Sequence, residues 1–363
     1  MWAIASPFWA GRSDRKGRKP HILIGMGGFT FSMLGCGAVV LAGLKGMTVP
    51  LMTFVGFLLI RSTYGTFGSA SAAAAQAYVA DRTEGQQRVK AIAGLGGALS
   101  LGTILGPAIA PFLILPYVGL AGPMFVFGLA GIVILILVAV ALPSDRVCRE
   151  QAKAHMNASG GWAIWRNPAV RPFLIYGFAM SSAQAANTYT LGFLVIDRVG
   201  LSPVAAQSSI GIAMVAGAVA GLVAQWGLVG MCGMMPRALL RWGSALAFLG
   251  NVLIVMLPGF LSLVGAFALV SFGYGLARPA YTAGASLAVG DGGQGAVAGA
   301  ISAIAGASIV VVPAVAVGLY EWMPLLPFTV FGGVLGALLL YVLIDPALSQ
   351  KRESGAGIVS CER

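Results

Sequence analysis

The chain has 363 residues, a net charge of +11, 58% hydrophobic and only 9% charged residues, and a mean hydropathy of +0.90. A soluble domain carries about 25% charged residues, so the composition excludes a soluble globular protein and reads as a membrane protein. The positive excess does not call for nucleic acid, because Lys and Arg concentrate in the cytoplasmic loops of membrane proteins. No ten-residue alternating pattern appears, which argues against an outer-membrane barrel.

Residues 1–10 (MWAIASPFWA) form a short apolar stub, followed by a mostly basic segment, 11–21. Apolar helices are then predicted at about 22–43, 48–79, 89–115, 122–142, 171–195, 203–231, 238–257, 261–287, 295–318 and 325–344. A spanning helix needs about 20 apolar residues, which each of these supplies. The 52 glycines suit close helix approach in lipid. A polar segment, 143–170, divides a first bundle (1–142) from a second (171–345), and 346–363 is a polar tail. With 11–21 placed inside, the segments 81–90, 143–171, 237–241 and the tail also fall inside. Together they hold 18 of the 22 Lys and Arg, which puts the central segment and the C-terminus in the cytoplasm.

The stub is too short to span: ten helical residues reach about 15 Å, half the hydrocarbon core. The expectation is a chain that starts inside a helix with an upstream helix absent, by assignment of an internal start or, as the alternative, by genuine truncation. It has no signal-peptide pattern. A faint repeat links the halves: Gly85-Gln86 and Val89 recur as Gly293-Gln294 and Val297, each before a Gly/Ala-rich helix. Paired halves joined by a polar linker are a transporter architecture. Cys36, Cys148, Cys232 and Cys361 lack metal-ligand spacing and are expected as reduced thiols. His21 and His155 have no metal partner. Asn157-Ala158-Ser159 fits a glycosylation sequon in a segment expected to be cytoplasmic and is discounted. There is no phosphate-binding Walker pattern and no nucleophile–base pair. No cofactor, metal or enzymatic activity is expected.

The segment Pro7 to Pro20 resembles the loop between helices 2 and 3 of the major facilitator superfamily, roughly G-x-L-[AS]-D-R-x-G-R-[RK]. Ser13, Asp14, Arg15, Gly17, Arg18 and Lys19 match, while Ala10 and Arg12 stand where the family has Gly and Leu. Arg61-Ser62-Thr63-Tyr64-Gly65 is similar to R-x-x-Q-G, with Tyr64 in place of Gln. Ala80-Asp81-Arg82-Thr83 with Arg88 resembles the D-x-T…R segment that follows. Gly102 to Pro111, with Gly106 and Pro107 central, resembles the antiporter pattern G-x-x-x-G-P-x-x-G-G, ending here in Ala110-Pro111. The resemblance covers residues 1 to about 345 and points to the drug:proton antiporters, including tetracycline-efflux-type proteins. It implies an all-α membrane fold of two six-helix bundles. This chain would hold about ten full helices and an N-terminal half-helix, lacking helix 1 and part of helix 2.

The resemblance also implies roles. Asp14, Arg15, Gly17, Arg18 and Asp81 would form a latch that holds the cytoplasmic end closed. Asp14 would face the positive end of the helix that begins near Gly295, and Arg18 would pair with Asp81. Arg61, a charge near mid-depth and therefore functional by default, would serve proton coupling. Its acidic partner is expected in the absent helix. Gly102, Gly106 and Pro107 would allow a tight, bent crossing. The loop Gly230 to Arg241 should repeat the latch but has no acid. Two faces at helical spacing, Met180/Gln184/Asn187 and Tyr274/Arg278/Tyr281, are expected to line a substrate cavity, with hydrogen bonding between helices as their rival role.

The chain is thus expected to be a monomeric secondary transporter in a bacterial inner membrane. It would export small hydrophobic or amphipathic compounds in exchange for protons. A metabolite symporter of the same fold and an inactive remnant are the alternatives.

Overall fold

The computed structural model describes residues 1–143, 163–202, 205–232, 234–289 and 293–345. Most of the central segment, the tail, Cys148, His155, Asn157, Asp291 and Cys361 lie outside the described residues. Among those described there is no β-strand, and the chain folds as eleven main helices. They are α1 (Trp2–Lys16), α2 (Arg18–Leu44), α3 (Pro50–Ala80), α4 (Gly85–Ile109), α5 (Gly122–Ala141), α6 (Arg171–Val199), α7 (Gln207–Leu222), α8 (Pro236–Met256), α9 (Phe260–Val289), α10 (Gln294–Trp322) and α11 (Leu326–Ile344).

Proline starts many of these helices. Pro50, Pro123, Pro172, Pro236 and Pro327 each stand in a first turn, where a missing N–H costs nothing. Seven helices (α2, α5, α7 with its continuation to Val229, α8, α9, α10 and α11) are long and apolar enough to cross a membrane. The helices α3, α4 and α6 have the length but are diluted by Gly, Ser, Thr, Gln and, in α3, Arg61.

Two departures from the sequence reading matter for function. The basic segment is not a loop: α1 runs on through Gly11–Lys16, and the chain turns at Gly17 alone, whose φ of 95° suits a residue without Cβ. Its charges sit on a helix end, where Arg15 and Lys16 lie beside the last carbonyls. The second departure is a π-helical turn, Val223–Val229, that continues α7 to the short segment Gly230–Cys232.

The helices α1, α2, α3 and α5 pack together, as do α6, α8, α9, α10 and α11. The two groups meet where α1 and α3 lie on α10; α7 packs on α9 of the second group, and α4 bridges the two by touching α3 on one side and α7 and α9 on the other. A seam of alanines (Ala10, Ala73, Ala77, Ala298) closes the first contact. The largest buried cluster runs through α6–α11 and takes in Val89, Ile92 and Ala93 of α4. The Leu, Ile and Val side chains of α5 (Leu129, Val133, Leu137, Val140) stay exposed, as a lipid-facing helix requires. The sequence repeat has a structural counterpart. Gly85 and Gly293 both stand at a helix start with positive φ, and Val89 and Val297 are both buried.

Candidate functional site

The basic end of the molecule holds a charged cluster that joins the two helix groups. Asp14 lies near the end of α1, and its Oδ1 accepts the backbone N–H of Gly295 in the first turn of α10 at 3.0 Å. A carboxylate at that place gains from the free N–H groups and the helix dipole. Arg18 opens α2 and is buried. Its Nη1 lies 2.6 Å from Asp14 Oδ1 and donates to Ser13 Oγ at 2.8 Å, while its Nε donates to Asp81 Oδ2 at 2.8 Å. One guanidinium thus ties three elements: α1, α2 and the end of α3. Arg15 instead donates to its own helix at Gly11 O and reaches none of these groups.

A second polar set lies beside it; the sequence marks Arg88 in a motif and Gln294 in the repeat, but not Ser286 or the link between them. Arg88 Nε donates to Thr83 O, and its Nη1 donates to Ser286 Oγ of α9 at 3.3 Å. Ser286 Oγ donates to Gln294 Oε1, and Gln294 Nε2 returns a bond to Ser286 O at 3.0 Å. Arg88, Ser286 and Gln294 are all buried, so α4, α9 and α10 are joined by satisfied polar groups. The available signal was the repeated Gly-Gln pair, which places Gln294 in this network. Arg237 and Arg241, in the place where the latch pattern should recur, pair with no described carboxylate.

Arg61 is half-buried, about 16 Å along α3 from its start, with its guanidinium over the Tyr64 ring at 5.0 Å. Such a cation–π contact substitutes in part for lost water. No described carboxylate lies within ion-pair distance.

The expected cavity faces are largely not exposed to a cavity. Asn187 is fully buried and its Nδ2 donates to Asn251 Oδ1 at 3.1 Å and to Tyr274 Oη at 3.0 Å. These three residues tie α6, α8 and α9 within their own group. Met180 is 2% exposed, and Tyr281, 4% exposed, meets Ser181 Oγ at 3.4 Å and lies against Gly177. Only Gln184, half-buried, and Arg278, exposed, keep an open aspect. Helical spacing groups residues on one face but does not say which neighbour that face meets. The rival role, hydrogen bonding between helices, is the one seen for Asn187 and Tyr274.

The expected tight crossing is also displaced. Among the described residues, a Cβ on Gly102 or Gly106 would meet nothing within 4 Å. The close approach lies earlier on α4, where Gly96 and Gly97 are covered by Gln225 and Trp226 of the π-turn. At the opposite end, Arg198 donates to the carbonyls of Ile254 and Leu257 at the end of α8, and Tyr320 donates to Asp197. Both contacts tie α6 to its neighbours.

A family model described as Major Facilitator Superfamily matches residues 1–313. Among characterised proteins, "Multidrug resistance protein 2" of Bacillus subtilis is 28% identical over 308 residues, 82% of this chain and 71% of that protein. Among solved structures, the human organic anion transporter MFSD10 (TETRAN) superposes with a TM-score of 0.76 at 20% identity, over 94% of this chain and 80% of that one. FucP, a major facilitator transporter in the outward conformation, gives 0.75 at 13% identity, over 96% and 88%. At these identities the two structures speak to the fold alone.

Proposed function

The chain belongs to the major facilitator superfamily, and from that premise we propose that it exports small hydrophobic or amphipathic compounds in exchange for protons. It acts on small molecules in the membrane, as a multi-pass transporter. In this reading the basic end faces the cytoplasm of a bacterium, the chain works as a monomer, and two bundles, 1–142 and 171–345, rock about a mid-membrane site.

One observation carries the alternating-access part: Asp14 of the first bundle is bonded to the backbone of Gly295 in the second, beside the buried Arg18 that also holds Asp81. Each of these bonds joins charged or polar groups that water can satisfy once the end opens, so the contact is reversible. The alanine seam behind it presents little side-chain bulk to separate. Export of drug-like compounds is supported by the similarity to a multidrug resistance protein. Proton coupling is supported by Arg61, a charge held away from both helix ends with its guanidinium over the Tyr64 ring and no described carboxylate in ion-pair reach.

The test is transport in inside-out vesicles carrying the chain. A lipophilic cationic dye should accumulate when a proton gradient is imposed, and the accumulation should collapse with a protonophore. Uptake by whole cells that depends on the gradient, with no accumulation in inside-out vesicles, would overturn export in favour of symport.

A further inference from the structure

The π-turn of α7 stands where that helix must serve two neighbours. On one side Ala224 is pressed against Gly275 of α9, where a Cβ on the glycine would lie 2.8 Å from both Ala224 Cβ and Gly221 O. On the other side the next two residues cover α4. The Trp226 indole lies on Gly97, so closely that any side chain there would overlap Nε1, and its N–H donates to Gly94 O at 3.3 Å. The Gln225 amide lies on Gly96 and donates to Ser100 Oγ at 3.4 Å. Three consecutive residues thus serve two different helices. The wider turn allows it, and the backbone shows it: the N–H of Gly230 reaches Gln225 O, five residues back.

This arrangement has a ready alternative. Each N–H of the turn can move from the carbonyl five back to the one four back, so relaxation to α-helix keeps the number of backbone bonds. The closed form also bears a cost, since Gln225 Oε1 is buried without a hydrogen-bond partner. Gly227 and Gly230 within and after the turn carry no side chain that would resist the change.

We propose that the π-turn of α7 is the yielding element of the transport cycle and Trp226 its gating residue. With the basic end closed, the indole is seated on Gly97. As that end opens, the turn relaxes to α-helix and draws Trp226 and Gln225 off α4 while Ala224 stays on α9. The inference rests on the alternating-access part of the function proposed above, and not on cargo or protons.

The test reads accessibility without any substrate, so its failure is separate from a failure of the export reading. A cysteine replaces the buried Ala93 of α4 in a full chain whose four native cysteines are serine. Its labelling by an impermeant maleimide is timed from the basic end in membrane vesicles. Trp226→Ala and Gly97→Ala should each speed labelling about tenfold, and the double variant should be no faster than either. Trp226→Phe, which keeps a ring on Gly97, should stay near the parent rate. Deleting Gly227, which takes the extra residue out of the turn, should match Trp226→Ala. Parent-rate labelling in both Trp226→Ala and Gly97→Ala would overturn the gate. Parent-rate labelling in the deletion, with the protein in the membrane at parent level, would overturn the π-to-α step. The two point variants leave the backbone intact and decide the gate even where the deletion does not accumulate.

Discussion

Gly295 offers its N–H to Asp14 Oδ1 at 3.0 Å, and a Cβ on this glycine would lie 2.5 Å from that same oxygen and from Arg18 Nη1. The bond and the absence of a side chain are therefore one requirement: the carboxylate reaches the start of α10 only because nothing stands in front of the amide. Four residues on, Gly299 meets the Ala10 side chain and the Ser6 carbonyl, so α1 lies on α10 over more than a full turn.

Two glycine substitutions should separate these contributions. Gly295→Ala pushes only side-chain ends aside and should remove the Asp14 bond while leaving the packing. Gly299→Ala must move backbone, because the new atom would overlap the Ala10 Cβ, which is fixed to its own backbone, and crowd the Ser6 carbonyl at 3.1 Å. A cysteine at the buried Ala77 in the seam should label faster in both, and more so in Gly299→Ala. Thermal stability should fall in Gly295→Ala as well, because the displaced ends belong to Asp14 and the buried Arg18. Equal labelling in both variants and the parent would remove the contact from the gate.

The charged cluster makes a sharper claim about Arg18. Its Nε serves Asp81 and its Nη1 serves Asp14 and Ser13, a division that a single ammonium cannot reproduce. Arg18→Lys should therefore behave like Asp14→Asn: transport falls, expression holds, and the Ala77 cysteine becomes accessible. Truncating one member of a buried, hydrogen-bonded charge pair typically costs about 2–5 kcal/mol, enough to shift the balance of two states by more than tenfold. Full transport by Arg18→Lys would show that the residue sets topology only.

Much of this arrangement was legible in the sequence, for a physical reason. Charges are confined to the ends of membrane helices, so the basic segments could be placed at one end, and the resemblance to the family's loop implied that Asp14, Arg18, Asp81 and Gly295 meet there. The helical course of Gly11–Lys16 was hidden because a run of charges looks the same in a loop and on a helix end. Neighbour choice was hidden more deeply. Helical spacing groups Asn187 and Tyr274 with their neighbours in sequence, but whether a face meets water or Asn251 depends on how three helices cross. Trp226 was missed because a π-turn leaves no trace in hydrophobic periodicity. The glycines at 96 and 97 are two among many until the residue that covers them is known.

The buried Asn187 set turns an expected specificity effect into a stability effect. Asn187→Ala strands Asn251 Oδ1 without one of its donors and leaves Tyr274 Oη short of a partner, at about 1–3 kcal/mol for each group left unsatisfied. The melting temperature in detergent should drop by several degrees, with the ranking of transported compounds unchanged. Tyr281→Phe loses only the long 3.4 Å contact to Ser181 and should melt within about a degree of the parent, given how little such a bond contributes. A changed substrate ranking in Asn187→Ala, at parent stability, would return that residue to the cavity wall.

Arg61 gives the prediction that bears most directly on energy coupling. Its guanidinium lies over the Tyr64 ring at 5.0 Å, with no described carboxylate in reach. A charge so placed is costly and is kept for a use, and an aromatic face offsets its desolvation only by about 0.5–2 kcal/mol. Arg61→Ala should abolish dye accumulation driven by a proton gradient but spare exchange of dye for dye, which needs the rocking motion and no proton. Arg61→Lys keeps charge but stacks less well and should retain part of the coupled activity. Tyr64→Phe, which preserves the ring, should stay near parent, whereas Tyr64→Leu should fall toward Arg61→Lys. If Arg61→Ala loses both activities together, the residue supports the helix packing or the cargo site, and the coupling group lies elsewhere. If it keeps both, the cation is a passenger of α3, and proton exchange loses its support from this residue.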